Sequence, residues 1–261
     1  MLKTRVITSL AAIVMVGVVL FVLPPSYAEI IIGLLIVGGA WEWSGFLGTT
    51  RQGVRLAYSG LVAAALVGLF PLIVEQGSLI LQVACAWWII AFFWSLRYPT
   101  PIPTAVRWVC GFPVLVPLFV ALVTLLRLGV EYLLFTLLIV WLADGGAYFA
   151  GKTFGRVKLA PEISPGKTWE GVIGGLVLVA LLAAVTAVWQ DTSIAVLVPF
   201  CLAVAALSIV GDLTVSMFKR TAGVKDSGSL FPGHGGVLDR IDSVAAAAPL
   251  FTLGIHWLGV V

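Results

Sequence analysis

The sequence predicts an all-α fold, a polytopic transmembrane helical bundle of about nine spans with its N-terminus in the cytoplasm. Three observations predict it. Of 261 residues, 61% are hydrophobic and only 10% charged, against roughly 25% charged in a soluble domain. The apolar residues fall into separate runs close to the ~20 residues that a helix needs to cross a bilayer. The basic residues alternate sides from one connection to the next. The same composition excludes a secreted disulfide scaffold and a disordered chain. A net charge of +3 is too small for the basic stripe of a nucleic-acid binder.

The runs cover 6–23, 28–47, 54–74, 78–96, 108–126, 130–150, 171–189, 193–217 and 243–260. Each is expected to be helical, because hydrocarbon offers no partner to an unpaired backbone group. The first run follows Lys3 and Arg5 and precedes Ser26-Tyr27-Ala28, which resembles a signal-peptide cleavage site. Retention as a span is favoured, since the run exceeds the ~7–15 residues of a signal core. With the N-terminus inside, 14 of the 15 Lys and Arg residues lie on cytoplasmic segments, and Arg127 alone lies outside. Dropping or adding one span scrambles that asymmetry.

The outer connections, Pro24 to Tyr27, Glu75 to Gly77 and Gln190 to Thr192, are too short to fold. Polar chemistry is therefore expected on the inner segments Gly151 to Glu170 and Phe218 to Asp242. This divides the chain into N-terminal spans (1–130) and a catalytic membrane region (131–261). There is no internal repeat. Gly171 and Gly175 on the seventh span suit close approach of a neighbouring helix.

Eight of the twelve carboxylates lie from Asp144 to Asp242. Asp144 and Asp212 fall in or near the ends of apolar runs, where an uncompensated carboxylate costs roughly 2.5–3.5 kcal/mol. Ser216 to Asp242 holds four basic and three acidic residues, one histidine and five glycines in 27 positions. Lys and Arg neutralise phosphate oxygens. Aspartates hold Mg²⁺, which bridges to substrate phosphates. Glycines let backbone approach a ligand. A solvated loop with turn residues is the alternative that composition leaves open. Asp212 and Ser216 are one turn apart, and Asp239 and Asp242 share a face if helical. Carboxylates clustered on two neighbouring helix ends suit one or two divalent cations.

The order of these residues resembles the signature of the CDP-diacylglycerol synthase (phosphatidate cytidylyltransferase) family. The pattern comprises Ser216, Lys219-Arg220, Lys225-Asp226, Pro232-Gly233-His234-Gly235-Gly236 and Asp239-Arg240-x-Asp242. It continues upstream in Ala143 to Tyr148, Lys158 to Pro161 and Ser164 to Gly171, with Trp41-Glu42-Trp43 as a further touch. The resemblance is close from about Trp141 to Ser243.

It implies transfer of a cytidylyl group from CTP to phosphatidic acid, with Mg²⁺ as cofactor. It also implies a homodimer in a bacterial inner membrane, with the site on the cytoplasmic side. The metal would be held by Asp144, Asp212, Asp239 and Asp242. Catalytic duties fall to Ser216, Lys219, Arg220, Lys225, Asp226, His234 and Arg240. Substrate contacts fall to Lys167, Lys219, Arg220, Gly233, Gly235, Gly236 and Arg240. Two other readings stand beside this one: the same chemistry on another lipid or polyprenol phosphate, and an ion transporter using Asp144 and Asp212.

Other signals are discounted. Gly146 to Thr153 spells GxxxxGKT, but a P-loop needs a preceding strand in an α/β sheet, and no strands are expected nearby. Cys85, Cys110 and Cys201 read as small core residues, and His256 as helix packing. The tryptophans read as interfacial anchors. Glu29, Glu75 and Glu131 need no role.

Overall fold

A computed structural model describes residues 14–49, 51–228 and 235–257. The first predicted run lies partly outside them and is helical over 14–21, here α1. The others correspond to α2 (Pro25–Trp43), α3 (Gln52–Leu69), α4 (Ile73–Leu96), α5 (Thr104–Leu128), α6 (Val130–Phe154), α7 (Trp169–Trp189), α8 (Ile194–Thr221) and α9 (Leu238–Trp257). Among the described residues, six stretches are long and apolar enough to cross a membrane: Pro25–Leu47, Gln52–Leu96, Thr104–Leu128, Val130–Phe154, Trp169–Trp189 and Ile194–Thr221. The chain is a multi-pass membrane protein built from helices.

Gln52–Leu96 contains two helices. Near the start of α5, Tyr58 lies 5.3 Å from Trp108; farther along, Phe70 lies 6.4 Å from Phe119. Trp94 then returns to Phe218 at the end of α8, 5.7 Å between rings. The chain therefore reverses at Phe70–Leu72, several residues before the predicted turn at Glu75 to Gly77. Pro71 sets the position, because its missing N–H suits the opening of a new helix. Glu75 is absorbed into the first turn of α4, where negative charge suits the helix dipole.

The inner segments are also more ordered than loops. After α6, Lys158–Ala160 (β1) and Ser164–Thr168 (β2) pair antiparallel, Lys158 opposite Thr168 and Ala160 opposite Ser164. The expectation of no strands near the GxxxxGKT stretch is thus corrected. The P-loop is still excluded, because Gly146 to Thr153 lies within α6 and the strands follow it. Thr168 caps α7, its Oγ1 accepting from the Gly171 N–H at 3.2 Å. Glu170 accepts from the Val157 N–H and closes the base of the hairpin.

Small residues bring α6 and α7 together, as the Gly171 and Gly175 spacing predicts. A Cβ at Gly171 would stand 2.8 Å from the Ala147 carbonyl oxygen; one at Gly175 would collide with the Ala143 carbonyl. Gly211 does the same for α8 and α9, where a Cβ would strike the Asp242 carbonyl and stand 2.9 Å from Ala246 Cβ. That approach sets Asp212 beside the first turn of α9. The ring of Trp43, at the end of α2, packs 4.9 Å from Phe218. The N-terminal helices are therefore part of the same packed body.

The opposite end of the bundle is tied by Arg127 and Glu29, 2.6 Å apart, so both have a partner. Cys110 and Cys201 are free thiols buried in the apolar interior, and Cys85 is a half-buried one packed against it. His256 departs from its predicted packing role: it is exposed in the last turn of α9, next to exposed Trp257.

The glycine seam yields a test. Gly175→Val forces side-chain atoms against backbone that cannot yield, and overpacking of this kind costs about 1–3 kcal/mol. The melting temperature in detergent is expected to fall. Gly60→Ala, where a Cβ meets nothing within 4 Å, is expected to leave it unchanged or raise it.

Candidate active site

Helix α8 carries Asp212, Ser216 and Lys219 on successive turns of one face, at i, i+4 and i+7. Asp212 lies nine residues before the end of α8, about 14 Å along the axis at 1.5 Å per residue. Ser216 Oγ donates to Asp212 Oδ1 at 3.0 Å. Lys167, from β2, reaches Asp212 Oδ2 at 2.7 Å. Arg220 Nε donates to the Ile163 carbonyl at 3.0 Å. The hairpin is thus held to α8 by one ion pair and one charge-assisted hydrogen bond.

The start of α9 supplies the other acids. Lys219 Nζ meets Asp239 Oδ1 at 2.7 Å, with the two side chains 10% and 8% exposed. Asp239 Oδ2 accepts from the backbone N–H groups of Ser227 at 2.9 Å and Gly236 at 3.0 Å. Burial pushes the Asp239 carboxyl up, but Lys219 and these two N–H groups outweigh it and hold the group below its ordinary value. Asp242, one turn on, is buried; its Oδ1 accepts from the Ser243 N–H at 2.8 Å. Asp212, Lys219 and Lys167 lie within its electrostatic reach. Asp144, on α6, is exposed along the helix surface. It hydrogen-bonds to Ser243 and feels the charges of Asp212, Lys167 and Arg240.

Asp144, Lys167, Asp212, Ser216, Lys219, Asp239 and Asp242 are therefore gathered at one end of the bundle. Gly235 and Gly236 join them. Gly235 has φ of 82°, and a Cβ there would stand 2.7 Å from Asp239 Oδ2. Arg240 is exposed on the same turn. Arg220 stands at the edge, engaged with the hairpin. Lys225 and Asp226 are exposed beyond the end of α8 and make no hydrogen bond or ion pair with another described residue. Pro232, Gly233 and His234 lie outside the described residues.

Glu42, to which the sequence pattern assigns no role, is central here. It is 5% exposed at the end of α2. Its Oε1 accepts from the Val237 N–H at 3.0 Å, and its Oε2 from the Leu238 N–H and Ser227 Oγ, both at 2.8 Å. A carboxylate between two tryptophans in an apolar run was the signal available, since a buried charge needs partners.

Mg²⁺ binds through one or two carboxylates, keeping waters and substrate phosphates for its other positions. Asp212 and Asp242 suit that mode: both are acids beside one another, and Asp242 has no ion pair among the described residues. A buried carboxylate without a cationic partner is costly, and a cation there would offset the cost. No three His, Cys, Asp or Glu side chains among the described residues stand close enough to hold a metal by themselves. Asp239 already takes three donors, so a cation on its Oδ1 would have to displace Lys219.

Comparison with known proteins points the same way. A profile of the cytidylyltransferase family matches residues 3–258. A phosphatidate cytidylyltransferase of Pseudomonas aeruginosa is 42% identical, over 96% of this chain and 96% of that protein. One from Haemophilus influenzae is 38% identical, over 97% of this chain and 98% of its own length. A Staphylococcus aureus protein of the same name is 47% identical over 48% of this chain and 49% of its length.

The Lys219–Asp239 pair is expected to carry stability. Lys219→Met strands a buried carboxylate and should cost about 3 kcal/mol, read as a lower melting temperature; adding Asp239→Asn should restore part of it. The depressed Asp239 value sets the pH response. Its contribution is present above the unfolded-chain value of ~3.9 and is lost as pH falls through the lower folded value. Thermal melts of wild type and Asp239→Asn should therefore converge only in acid.

Proposed function

Because the chain belongs to the cytidylyltransferase family, we propose that it transfers the cytidylyl group of CTP to phosphatidic acid, giving CDP-diacylglycerol and pyrophosphate. The observation that carries this reading is the cluster of Lys167 and Lys219 interleaved with Asp212, Asp239 and Asp242 at one end of an apolar bundle. Such a cluster suits a charged headgroup and a nucleoside triphosphate meeting at a membrane surface. The printed names of the relatives support the same substrates.

In this reading a non-bridging oxygen of the lipid phosphate attacks the α-phosphorus of CTP. The bond from that phosphorus to the bridging oxygen of the β-phosphate breaks, and pyrophosphate leaves with the electron pair. The attacking phosphate is already ionised near neutral pH, so no protein base is required. Catalysis then rests on placement and on charge stabilisation. Lys167 and Lys219 face the phosphates and hold their negative charge. Ser216 orients Asp212 through its hydrogen bond. Arg240, Lys225 and Arg220 surround the entrance with positive charge. The Gly235-Gly236 turn lets the backbone approach the nucleotide. Mg²⁺ held by Asp212 and Asp242, with Asp144 facing them, would neutralise charge developing on the triphosphate.

The topology belongs to the same proposal: nine crossings, N-terminus in the cytoplasm, and the site at the cytoplasmic face of a bacterial inner membrane. The positive-inside asymmetry supports it, as does the placement of Glu29 and Arg127 together at the end opposite the cluster. The homodimer implied by the resemblance is read directly by native mass spectrometry from detergent.

The test is incorporation of radiolabelled CTP into lipid by purified protein, with and without Mg²⁺ and with several acceptors. Label should enter lipid only with phosphatidic acid and Mg²⁺ present. Incorporation into a polyprenol phosphate instead would reassign the acceptor. Asp212→Asn and Asp242→Asn should each reduce turnover on the order of 100-fold or more, the scale of losing one charge-stabilising group. Full activity in both would remove the metal assignment.

A further inference from the structure

We propose that Glu42 is a positioning residue of the transfer site, acting from the N-terminal half of the chain on the loop between α8 and α9. The proposal rests on the reading that this site transfers the cytidylyl group. Glu42 makes no hydrogen bond or ion pair to the charged side chains assigned to substrate or metal. It holds the backbone that places them.

The first turn of a helix leaves N–H groups without intrahelical partners. At the start of α9 three successive N–H groups, two of them on the residues just before the helix, are met by carboxylates: Gly236 by Asp239, and Val237 and Leu238 by Glu42. Asp239 is local to the helix, like the acid of a capping box. Glu42 is not; it lies 196 residues from Leu238 in the chain. Its negative charge also sits where the helix dipole favours one.

Ser227 couples the two acids. Its N–H goes to Asp239 and its Oγ to Glu42. Asp239 in turn holds Lys219. Moving Glu42 would therefore shift Ser227, the Gly235-Gly236 turn, Asp239 and Lys219 together. The fit is close. A Cβ at Gly228 or at Gly236 would collide with the Glu42 carboxylate, so the backbone on both sides of the loop lies directly against it.

Glu42 is itself held firmly. Arg55 donates to the Trp41 carbonyl at 3.0 Å and to Ser44 Oγ at 3.0 Å. Trp43 Nε1 donates to the Arg107 carbonyl at 2.9 Å, and the Arg107 guanidinium donates to the Phe46 carbonyl at 2.6 Å. The end of α2 is thus a rigid platform beside α3, α5 and the Phe218 ring, one residue from Lys219.

Glu42→Gln tests this, because an amide keeps the size but cannot accept at both ends. Wild-type turnover is measured first; an inactive wild type would count against the function itself and is separate from this proposal. In active protein, Glu42→Gln is expected to lower kcat about 10- to 100-fold, the scale of misplacing catalytic groups. Hydrogen exchange at Val237 and Leu238 should rise while the α5 core is unchanged. Glu42→Asp, which keeps the carboxylate, should recover part of kcat. Ser227→Ala should lower kcat less and combine non-additively with Glu42→Gln. Glu29→Gln, at the opposite end, controls for loss of a carboxylate. A Glu42→Gln protein with wild-type kcat overturns the proposal. So does one whose only defect is a lower melting temperature or smaller active fraction, with kcat per active molecule intact.

Discussion

A charge inside an apolar bundle must be met by an opposite charge or by donors, and this requirement organises the molecule. Lys219 and Asp239 stand 2.7 Å apart with almost no exposure. Their pairing ties the end of α8 to the start of α9. Three further charged contacts lie around that junction: Asp212 to Lys167, Asp239 to two loop N–H groups, and Glu42 to the start of α9. Desolvation makes each of these groups expensive alone and stable only in company.

Close backbone packing allows the charges to meet. Gly211 lets α8 and α9 approach until Asp212 and Asp242 are neighbours. Gly171 and Gly175 bring α7 onto α6, which sets Asp144 and the hairpin on the same side. The hairpin then carries Lys167 onto Asp212. In a bilayer, helices gain nothing from hiding apolar surface from one another, so such seams depend on van der Waals contact and small residues. The N-terminal helices contribute through packing as well, with Trp43 and Trp94 both against the Phe218 ring.

Much of this was legible in the sequence. Long apolar runs report helices reliably because hydrocarbon permits little else, and the site residues cluster because charged residues are scarce in such a chain. Boundaries were less legible. Pro71, rather than the polar Glu75 to Gly77, turned the chain, and the inner segment after α6 formed a hairpin where a loop was expected. Local polarity marks the end of a run, but the backbone chemistry of proline and strand pairing decides where it turns.

By itself the sequence determined the helical class, the acidic and basic set at Asp144, Lys167, Asp212, Lys219, Asp239 and Asp242, and the resemblance that interprets them. The class follows from composition, and the set follows from the residue order that carries the resemblance; both are properties of the chain alone. Only the tertiary structure decided the pairings: which lysine serves which aspartate, that Asp239 is engaged by the loop while Asp242 has no ion pair among the described residues, and that Glu42 caps a helix 196 residues away. Contacts across such separations depend on how helices pack in three dimensions, and no local pattern encodes that.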